Sequence, residues 1–495
     1  MSTDVPAHIL GQAQHSYHDV DKAEHPLELM RAVARQALAD ANVTASEVQG
    51  IACVDPFSWT YADLAQQVAA DIGLPESIRE FWVPAGGTTP QDLLHEIAAA
   101  MANGELDVAL LVGAEAMRTR RKATRAGQQL AWPERDKSID PMRGQKPFTS
   151  EWEARHGLRL PVQSFPILEN AIRSASGRTA DEQIDLAAYL LHKNALVAAS
   201  NPNAWFQDAP SAADIATVTE DNRMIAYPYT KRMNAIMDVD QAAALVVVSD
   251  RYLETSGDRS RAAAILGGAG AEEVWNPIQR SSLSKCAAMQ VAFSDALASA
   301  GLTPENVDAF DFYSCFPSPI QLALDALDIP TDDPRPFSIT GGLAYAGGPG
   351  NNYVMHSLAT ALTHLREEPG HKLMITGVGM ANTKHAATLL ANSLHTPGGA
   401  TGVTRYRVET GEQPTPVAEQ AQGRCSVVSY TVEYDREGVA TNIIYILDTA
   451  SGERAIANAR SPDQDAEVLL RQDPVGKSGE LTWDSAAQRQ YFRLG

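Results

Sequence analysis

The sequence predicts a layered α/β region that fills most of the chain, followed by a small β-rich domain. Amphipathic helical segments alternate with short β-rich runs as far as about His395, as in layered α/β domains. The same order of elements, a glycine-rich turn followed by a helix and a strand, occurs twice in that region. After His395 the composition changes, which places a domain boundary there.

The composition is that of a globular protein with a large core. The chain has 495 residues, 44% hydrophobic and 20% charged, which is enough for two or three domains. Its net charge of −21 opposes general binding to nucleic acid or to anionic membranes. The longest apolar run, Ala242 to Val248, is too short to span a membrane, and the first residues do not resemble an export signal. We therefore expect a cytoplasmic protein with no tightly bound cofactor.

The cysteines indicate neither disulfides nor a metal site. They lie far apart along the chain and show no paired spacing: Cys53, Cys286, Cys315 and Cys425. We expect four reduced thiols.

The first α/β half is predicted to span residues 1–117. Its helical periodicity and its apolar runs predict three helices and two strands. The helices cover 27–39, 61–72 and 90–102, and the strands cover 50–54 and 107–112.

Residues 118–239 are interpreted as an insertion that forms a lid or covers a ligand. Turn and loop residues dominate from Arg118 to about Pro166, and a more helical, polar pattern follows, with 181–198 as its clearest helix. The run R-T-R-R-K-A-T-R, from Arg118 to Arg125, places five positive charges within eight residues. Such a run is either a solvated face or a contact for a phosphate-bearing ligand.

The second α/β half is predicted at 240–395 and the appended domain at 396–495. A glycine-rich linker, T-P-G-G-A-T-G, begins the appended domain. From Cys425 the runs C-S-V-V-S-Y-T-V-E-Y and T-N-I-I-Y-I-L alternate as strands do, with D-R-E-G between them as a turn. A small β-rich domain is expected, with an OB-like barrel as one form.

The repeated plan suggests a duplicated core. One copy begins G-G-T-T-P-Q-D and ends at Met117, and the other begins G-G-P-G-N-N-Y and ends at Met380. We expect Thr89 to cap the first copy's helix and Pro90 to begin it. Free N–H groups at that helix start could bind an oxyanion or a phosphate, although such glycines also serve simply as tight turns.

Four ordered motifs resemble the thiolase superfamily, within it the sterol-carrier-protein-type and thiolase-like branches. V-D-Q-A-A-A-L-V-V-V-S from Val239 is similar to the strand that opens the second thiolase half. V-D-A-F-D-F-Y-S-C-F from Val307 is similar to the N-E-A-F or H-D-C-F segment. G-G-L-A-Y-A-G-G-P from Gly341 is similar to the G-H-P segment, and I-T-G-V-G-M from Ile375 to the C-x-G segment. The resemblance implies a duplicated thiolase fold with layers in the order α-β-α-β-α.

The resemblance also implies that the thiolase catalytic positions are occupied by other residues. The nucleophilic cysteine corresponds to Gly87, the G-H-P histidine to Gly348 and the acid/base cysteine to Ile375. Tyr313 stands where the third motif has asparagine or histidine. Claisen chemistry needs a nucleophile and a base, which glycine and isoleucine cannot supply. We therefore expect no ordinary thiolysis or condensation, and a pocket enlarged at Gly87 and Gly348.

Three side chains are candidates for a rebuilt catalytic site. Cys315 is the thiol within a motif that the family places at the active site, although a small buried cysteine is the simpler interpretation. His356 lies on the helix after G-G-P-G-N-N-Y and either faces the pocket or packs between layers. Tyr313 offers a hydroxyl that either binds a thioester carbonyl or satisfies the backbone.

The leading hypothesis is a pocket for coenzyme A or an acyl-CoA. The alternatives are an acyltransferase of altered mechanism that uses Cys315 or His356, and a scaffold that recruits a protein partner through the C-terminal β domain. The residues predicted to bind the thioester are Gly86, Gly87, Thr88, Ser314, Gly347, Gly348 and Gly377.

Overall fold

The computed structural model describes residues 5–22, 24–403 and 410–495. Its strands, in chain order, are β1 (Ala7–Ser16), β2 (Gly50–Val54), β3 (Arg79–Phe81), β4 (Val108–Ala116), β5 (Met224–Ala226), β6 (Tyr229–Thr230), β7 (Asp240–Ser249), β8 (Ala263–Glu272), β9 (Ala309–Asp311), β10 (Lys372–Gly379), β11 (Lys384–Asn392), β12 (Gly402–Val403), β13 (Gly423–Tyr434), β14 (Ala440–Thr449), β15 (Arg454–Asn458), β16 (Ser478–Asp484) and β17 (Arg489–Leu494).

Helices lie in both α/β halves, in the insertion and in the C-terminal domain. They are α1 (Pro26–Ala41), α2 (Leu64–Ile72), α3 (Thr89–Ala102), α4 (Met117–Ala126), α5 (Glu151–Arg155), α6 (Pro161–Ser176), α7 (Ala180–Ser200), α8 (Ala212–Ala216), α9 (Asp250–Ser256), α10 (Ala287–Ala300), α11 (Pro317–Ala326), α12 (Tyr353–Glu367) and α13 (Pro462–Gln472). Within the described residues, none of these helices combines the length and apolar character needed to cross a membrane.

Strand pairing shows that the α/β region is duplicated. The large sheet has the order β3-β2-β4-β7-β1-β8-β11-β10-β9, with β12 beside β8. In the first half β7 pairs antiparallel with both β1 and β4, and β2 pairs parallel with β4. In the second half β11 pairs antiparallel with β8 and β10, and β9 pairs parallel with β10. The two sets match strand for strand and meet where β1 pairs antiparallel with β8.

The helices form the layers of a thiolase fold around these strands. Helices α3 and α12 contact each other and strands of both halves, whereas α1 packs on the first half and α10 on the second. On β7, Leu245 and Val247 belong to the core around α3 and α12, while Val246 and Val248 belong to the core under α1. Strands buried on both faces explain the continuous apolar runs. The predicted duplicated, layered fold is confirmed.

Helix α3 begins one residue earlier than the sequence analysis placed it. Its N-cap is Thr88 rather than Thr89, and Pro90 lies in the first turn, where its missing N–H has no helical partner to lose. The Thr88 hydroxyl donates to Asp92 Oδ2 at 2.7 Å. The cap is therefore displaced from its expected position, while the helix itself agrees with the prediction.

The prediction of turns from Arg118 to about Pro166 is wrong for part of that segment. The basic run forms α4, and α5 and the start of α6 follow it. Arginine and lysine are good helix formers, and two of the α4 arginines, Arg118 and Arg121, lie within ion-pair distance of Asp238. The sequence could not show these contacts, because Asp238 lies more than a hundred residues after the run.

The C-terminal domain is a closed five-stranded barrel. Its order is β13-β14-β15-β17-β16, and β16 returns to β13. Helix α13 lies between the third and fourth strands, and the third pairs parallel with the fifth. This arrangement is that of an OB-fold, and closure leaves a barrel without free edges. The expectation of an OB-like barrel is confirmed.

The barrel is bound closely to the insertion. Helix α6 packs against β13, where Ser429 Oγ donates to the Ile167 carbonyl at 2.6 Å and Asn170 Nδ2 donates to the Tyr430 carbonyl at 3.0 Å. The buried Asn458 of β15 donates to the His156 carbonyl at 2.8 Å, just after α5. The barrel therefore packs against α6 and is hydrogen-bonded to α6 and to the segment just before it.

The first prediction concerns this junction. Replacing Asn458 with Ala removes its bonds to the His156 and Ile443 carbonyls and to Asn442 Oδ1. We expect Asn458→Ala to lower the free energy of unfolding by about 2 kcal/mol, because buried acceptors lose their donor. Urea denaturation followed by circular dichroism measures it. The exposed Asn103→Ala is the control and should stay within about 0.5 kcal/mol of the parent; equal effects of the two substitutions would contradict the proposed importance of the junction.

Candidate functional site

The candidate site is a cavity of about 630 Å³ between the two α/β halves and the insertion. The glycine-rich turn before α3, the segment before α11 and the start of α6 each supply part of its wall. The structure brings five of the sequence-predicted site residues to this cavity: Gly86, Gly87, Tyr313, Cys315 and Gly348.

The other predicted residues do not line this cavity. Ile375 is fully buried in β10, and its carbonyl accepts a bond from Gln91 Nε2 at 2.8 Å. Ser314 is buried and its hydroxyl accepts from Asn194 Nδ2 at 3.2 Å. Close packing also accounts for Gly377, where an added Cβ would lie 2.4 Å from Gln91 Oε1. Gly347 and His356 line a separate small space, and Thr88 is fully buried.

The position that the resemblance assigns to the nucleophile has no room for a side chain. A Cβ built on Gly87 would lie 2.1 Å from the Val378 carbonyl oxygen and 2.7 Å from the Tyr313 hydroxyl. Both distances are far inside van der Waals contact. The expectation that Gly87 enlarges the pocket is therefore wrong, because the backbone of β10 and a phenol occupy that space.

Gly348 has more room for a side chain than Gly87 has. A Cβ there would lie 3.3 Å from the Ile236 carbonyl oxygen and 3.6 Å from both Ala235 Cβ and Leu343 Cδ2. The Gly348 N–H donates to the same Ile236 carbonyl at 2.8 Å, which fixes this turn against the insertion. A small side chain would nearly fit, so the absence of a large one here does leave space in the cavity.

Tyr313 presents a neutral hydroxyl to the cavity. Burial raises the pKa of this phenol above its ordinary value. Its backbone N–H donates to Thr376 Oγ1 at 2.9 Å, and its ring packs edge-on against Tyr353 at 5.4 Å between centroids. Among the described residues no side chain or carbonyl is hydrogen-bonded to its hydroxyl. The group can therefore donate to a ligand.

Cys315 lines the cavity as a thiol rather than a thiolate. Burial raises its pKa well above the ordinary value for cysteine. Its carbonyl accepts the Ala235 N–H at 3.0 Å, so the residue also ties the insertion to the core. A protonated thiol is a poor nucleophile.

His356 lies in a separate small space shared with Gly347 and Gln241. Its Nδ1 is 3.1 Å from Gln14 Oε1, and burial lowers its pKa to about 3. The ring is neutral at physiological pH and is not in contact with the main cavity. Of the two orientations that the sequence left open, the structure shows packing between layers.

Asn351 and Gln145 are among the polar residues of the cavity that the sequence analysis missed. Asn351, 5% exposed, follows Gly350 in the turn before α12, and Gln145 lies in the segment between α4 and α5. Asn351 Nδ2 and Gln145 Nε2 are both buried without a hydrogen-bond partner in the described structure. The motif G-G-P-G-N-N-Y contained Asn351, but a turn asparagine is usually explained by the turn itself.

The cavity mouth combines cations with exposed apolar side chains. The exposed Lys146 and Arg159 are its basic residues, and Leu160 and Met237 are 57% and 43% exposed beside them. The cations that the sequence suggested lie elsewhere. In the basic run of α4, Arg118 and Arg121 lie near Asp238, and Lys122 pairs with Asp21.

Comparison with known proteins agrees with this architecture. Residues 408–486 match the family model for the additional C-terminal domain of thiolase-like protein type 1. A monomeric SCP2-thiolase-like protein type 1 from Mycobacterium smegmatis superposes with a TM-score of 0.80 and 26% identity, covering 100% of both chains. The chain is a thiolase-like protein of the thiolase superfamily.

Two further solved structures have the same fold as this thiolase-like protein at lower identity. The Ltp2-ChsH2(DUF35) aldolase has a TM-score of 0.60 at 18% identity, over 79% of this chain and 99% of that one. The Acat5 thiolase from Ascaris suum, in complex with coenzyme A, has a TM-score of 0.57 at 15% identity, over 78% of this chain and 100% of that one. No curated protein matches the sequence.

The second prediction compares the two glycines. Neither glycine has a left-handed backbone, so substitution with alanine adds no backbone strain. The substitution therefore tests only whether each position has room for a Cβ. We expect Gly87→Ala to cost about 2–3 kcal/mol of stability through overpacking, and Gly348→Ala less than about 1 kcal/mol. Chemical denaturation of both variants measures the difference, and equal costs would show that the space at Gly87 is not closed.

The third prediction concerns Cys315. Because its folded pKa is raised, the thiolate is scarce throughout neutral and mildly alkaline pH. At pH 8 we expect iodoacetamide to modify Cys315 at less than about a tenth of the rate in the urea-unfolded chain. Peptide mapping by mass spectrometry distinguishes it from the other three cysteines, and modification as fast as in the unfolded chain would refute a protonated thiol.

Proposed function

We propose that the protein binds coenzyme A thioesters in the cavity and does not carry out ordinary thiolysis or Claisen condensation. The observation that supports this most directly is the closed position at Gly87, where the nucleophile of the related enzymes would stand. The cavity has a volume of about 630 Å³, which is within the range of small-molecule binding sites.

The titratable groups of the cavity do not suit Claisen chemistry. That reaction needs an acyl-accepting nucleophile and a base with a pKa near the working pH. Tyr313 and Cys315 have raised pKa values through burial, and Asp140, Lys146 and Arg159 are exposed at the mouth. No histidine of the described chain lines the cavity.

The cavity does offer complementary chemistry for a thioester. Lys146 and Arg159 at the mouth suit the phosphates of coenzyme A, since cations bind phosphate strongly. The interior walls, which include Phe165, Phe316 and Leu343, suit an acyl chain. The neutral Tyr313 hydroxyl could donate to the thioester carbonyl. That a thiolase of the same fold has been solved with coenzyme A supports this choice of ligand.

The two alternatives are supported less well. An acyltransferase using Cys315 would begin from a protonated thiol without a neighbouring base, and His356 faces Gln14 instead of the cavity. A scaffold acting through the barrel would have to use surfaces that α6 leaves free, because α6 occupies one side of β13.

The fourth prediction tests binding and chemistry together. Isothermal titration with coenzyme A and octanoyl-CoA should give micromolar affinities, whereas an acetoacetyl-CoA thiolysis assay should show no turnover above the blank. Tyr313→Phe should weaken octanoyl-CoA binding by about fivefold and leave coenzyme A binding unchanged, because one hydrogen bond is lost. Absence of binding to either compound would refute the proposal; so would thiolysis that is lost in Cys315→Ala.

A further inference from the structure

We propose that residues 159–162 form a gate at the entrance to the cavity, and that the C-terminal barrel holds this gate in place through Gln163 and Glu433. The inference gives the barrel a role in access to the cavity, whichever ligand the cavity binds.

The gate lies between the cavity and the solvent. Its four residues all line the cavity: Arg159, Leu160, Pro161 and Val162. The first two are exposed and the other two are half-buried, whereas residues 163–173 of α6 are all buried. A segment that buries few side chains is displaced at lower cost than one packed into a core. The gate is therefore the part of this wall that can move.

Pro166 loosens the first turn of α6, to which the gate belongs. It lies inside the helix and has no N–H, so the Val162 carbonyl lacks the helical hydrogen bond that residue 166 would donate. The first turn is consequently joined to the rest of α6 by fewer bonds than an ordinary helical turn.

The rest of α6 is fixed on both sides. Phe165 stacks on Phe316, and the Phe165 carbonyl accepts a bond from Ser318 Oγ at 3.2 Å. Further along, Asn170 is bonded to the Tyr430 carbonyl of the barrel. Displacement of the wall is therefore confined to the residues before Phe165.

One side chain joins the gate to the barrel. The Oε1 atom of Gln163 accepts the Leu160 N–H at 2.8 Å, and its Nε2 atom donates to Glu433 Oε1 at 2.7 Å. The other oxygen of Glu433 accepts from Asn442 Nδ2 at 2.9 Å, and Asn458 Nδ2 donates to Asn442 Oδ1 at 2.9 Å. A chain of hydrogen bonds thus runs from the backbone of the gate into the barrel, and its acceptor carboxylate strengthens it.

The thiol of Cys315 reports opening of the gate without any ligand, because Cys315 lines the cavity. The measurement is the rate of its modification by iodoacetamide at pH 8 in the full-length protein, followed by peptide mapping. Gln163→Leu should raise this rate about fivefold, since one hydrogen bond holding the gate is lost. The buried thiols of Cys286 and Cys425 should keep their parental rates, which separates local opening from general destabilisation.

Glu433→Gln breaks the same contact from the barrel side, because it replaces one of the two acceptor oxygens by a donor. We expect a similar rise at Cys315. The double variant should be no faster than the faster single variant, since both substitutions remove one shared interaction. Pro166→Ala should act in the opposite direction and slow modification of Cys315 by at least about twofold, because alanine supplies the missing N–H.

Two substitutions on α13 are the matched controls. Gln464→Leu changes an exposed glutamine of the barrel, and Pro462→Ala changes a proline in the first turn of a helix. Both should leave the rate at Cys315 unchanged. Circular dichroism establishes that each variant is folded, and Glu433→Gln provides the same test if Gln163→Leu is not.

Three results would overturn the inference. One is an unchanged rate at Cys315 in folded Gln163→Leu and Glu433→Gln. Another is an equal acceleration of Cys286, Cys315 and Cys425, which would show loss of stability rather than a gate. The third is a double variant in which the two single effects multiply, because the two residues would then act independently.

Discussion

The cavity depends on how helix α6 is held between the barrel and the α/β core. Residues at its start, including Pro161 and Phe165, form part of the cavity wall, and Phe165 stacks on Phe316 at 4.7 Å between ring centroids. Further along, the carbonyl of Ile167 and the side chain of Asn170 are bound to β13. The barrel therefore fixes the position of a helix whose other side faces the ligand space, although the barrel strands themselves are remote from it.

A buried carboxyl completes this attachment on the core side. Glu169 of α6 accepts bonds from the Tyr229 hydroxyl at 2.5 Å and from Gln321 Nε2 at 2.7 Å, and Gln183 Nε2 also donates to it. These donors come from β6, α11 and α7, so one side chain joins four elements. Burial raises the pKa of Glu169. A buried polar network of this kind is costly when incomplete, which makes the relative placement of these elements specific.

The fold was largely predictable from the sequence, but the interior of the site was not. Periodicity predicted α3 and β4, and the repeated plan predicted the duplication, since both are local patterns repeated in order. The closure at Gly87 depends on the Val378 carbonyl and on Tyr313, each more than two hundred residues away. Sequence shows that a side chain is missing but not what occupies its space. In the same way Asn351 could be seen in its motif, while the absence of a partner for its amide could not.

The packing around Gly87 determines which side chains this position can accept. Glycine, the Val378 carbonyl and the Tyr313 phenol fit together as one unit, because the Cβ position of residue 87 is 2.1 Å from one and 2.7 Å from the other. A cysteine placed at this position alone would meet a backbone carbonyl that cannot rotate away, so accommodating it would require the strand and the phenol to shift as well. Close packing thus prevents a single substitution from placing a thiol at residue 87 without rearrangement, while the space at Gly348 stays open to a ligand.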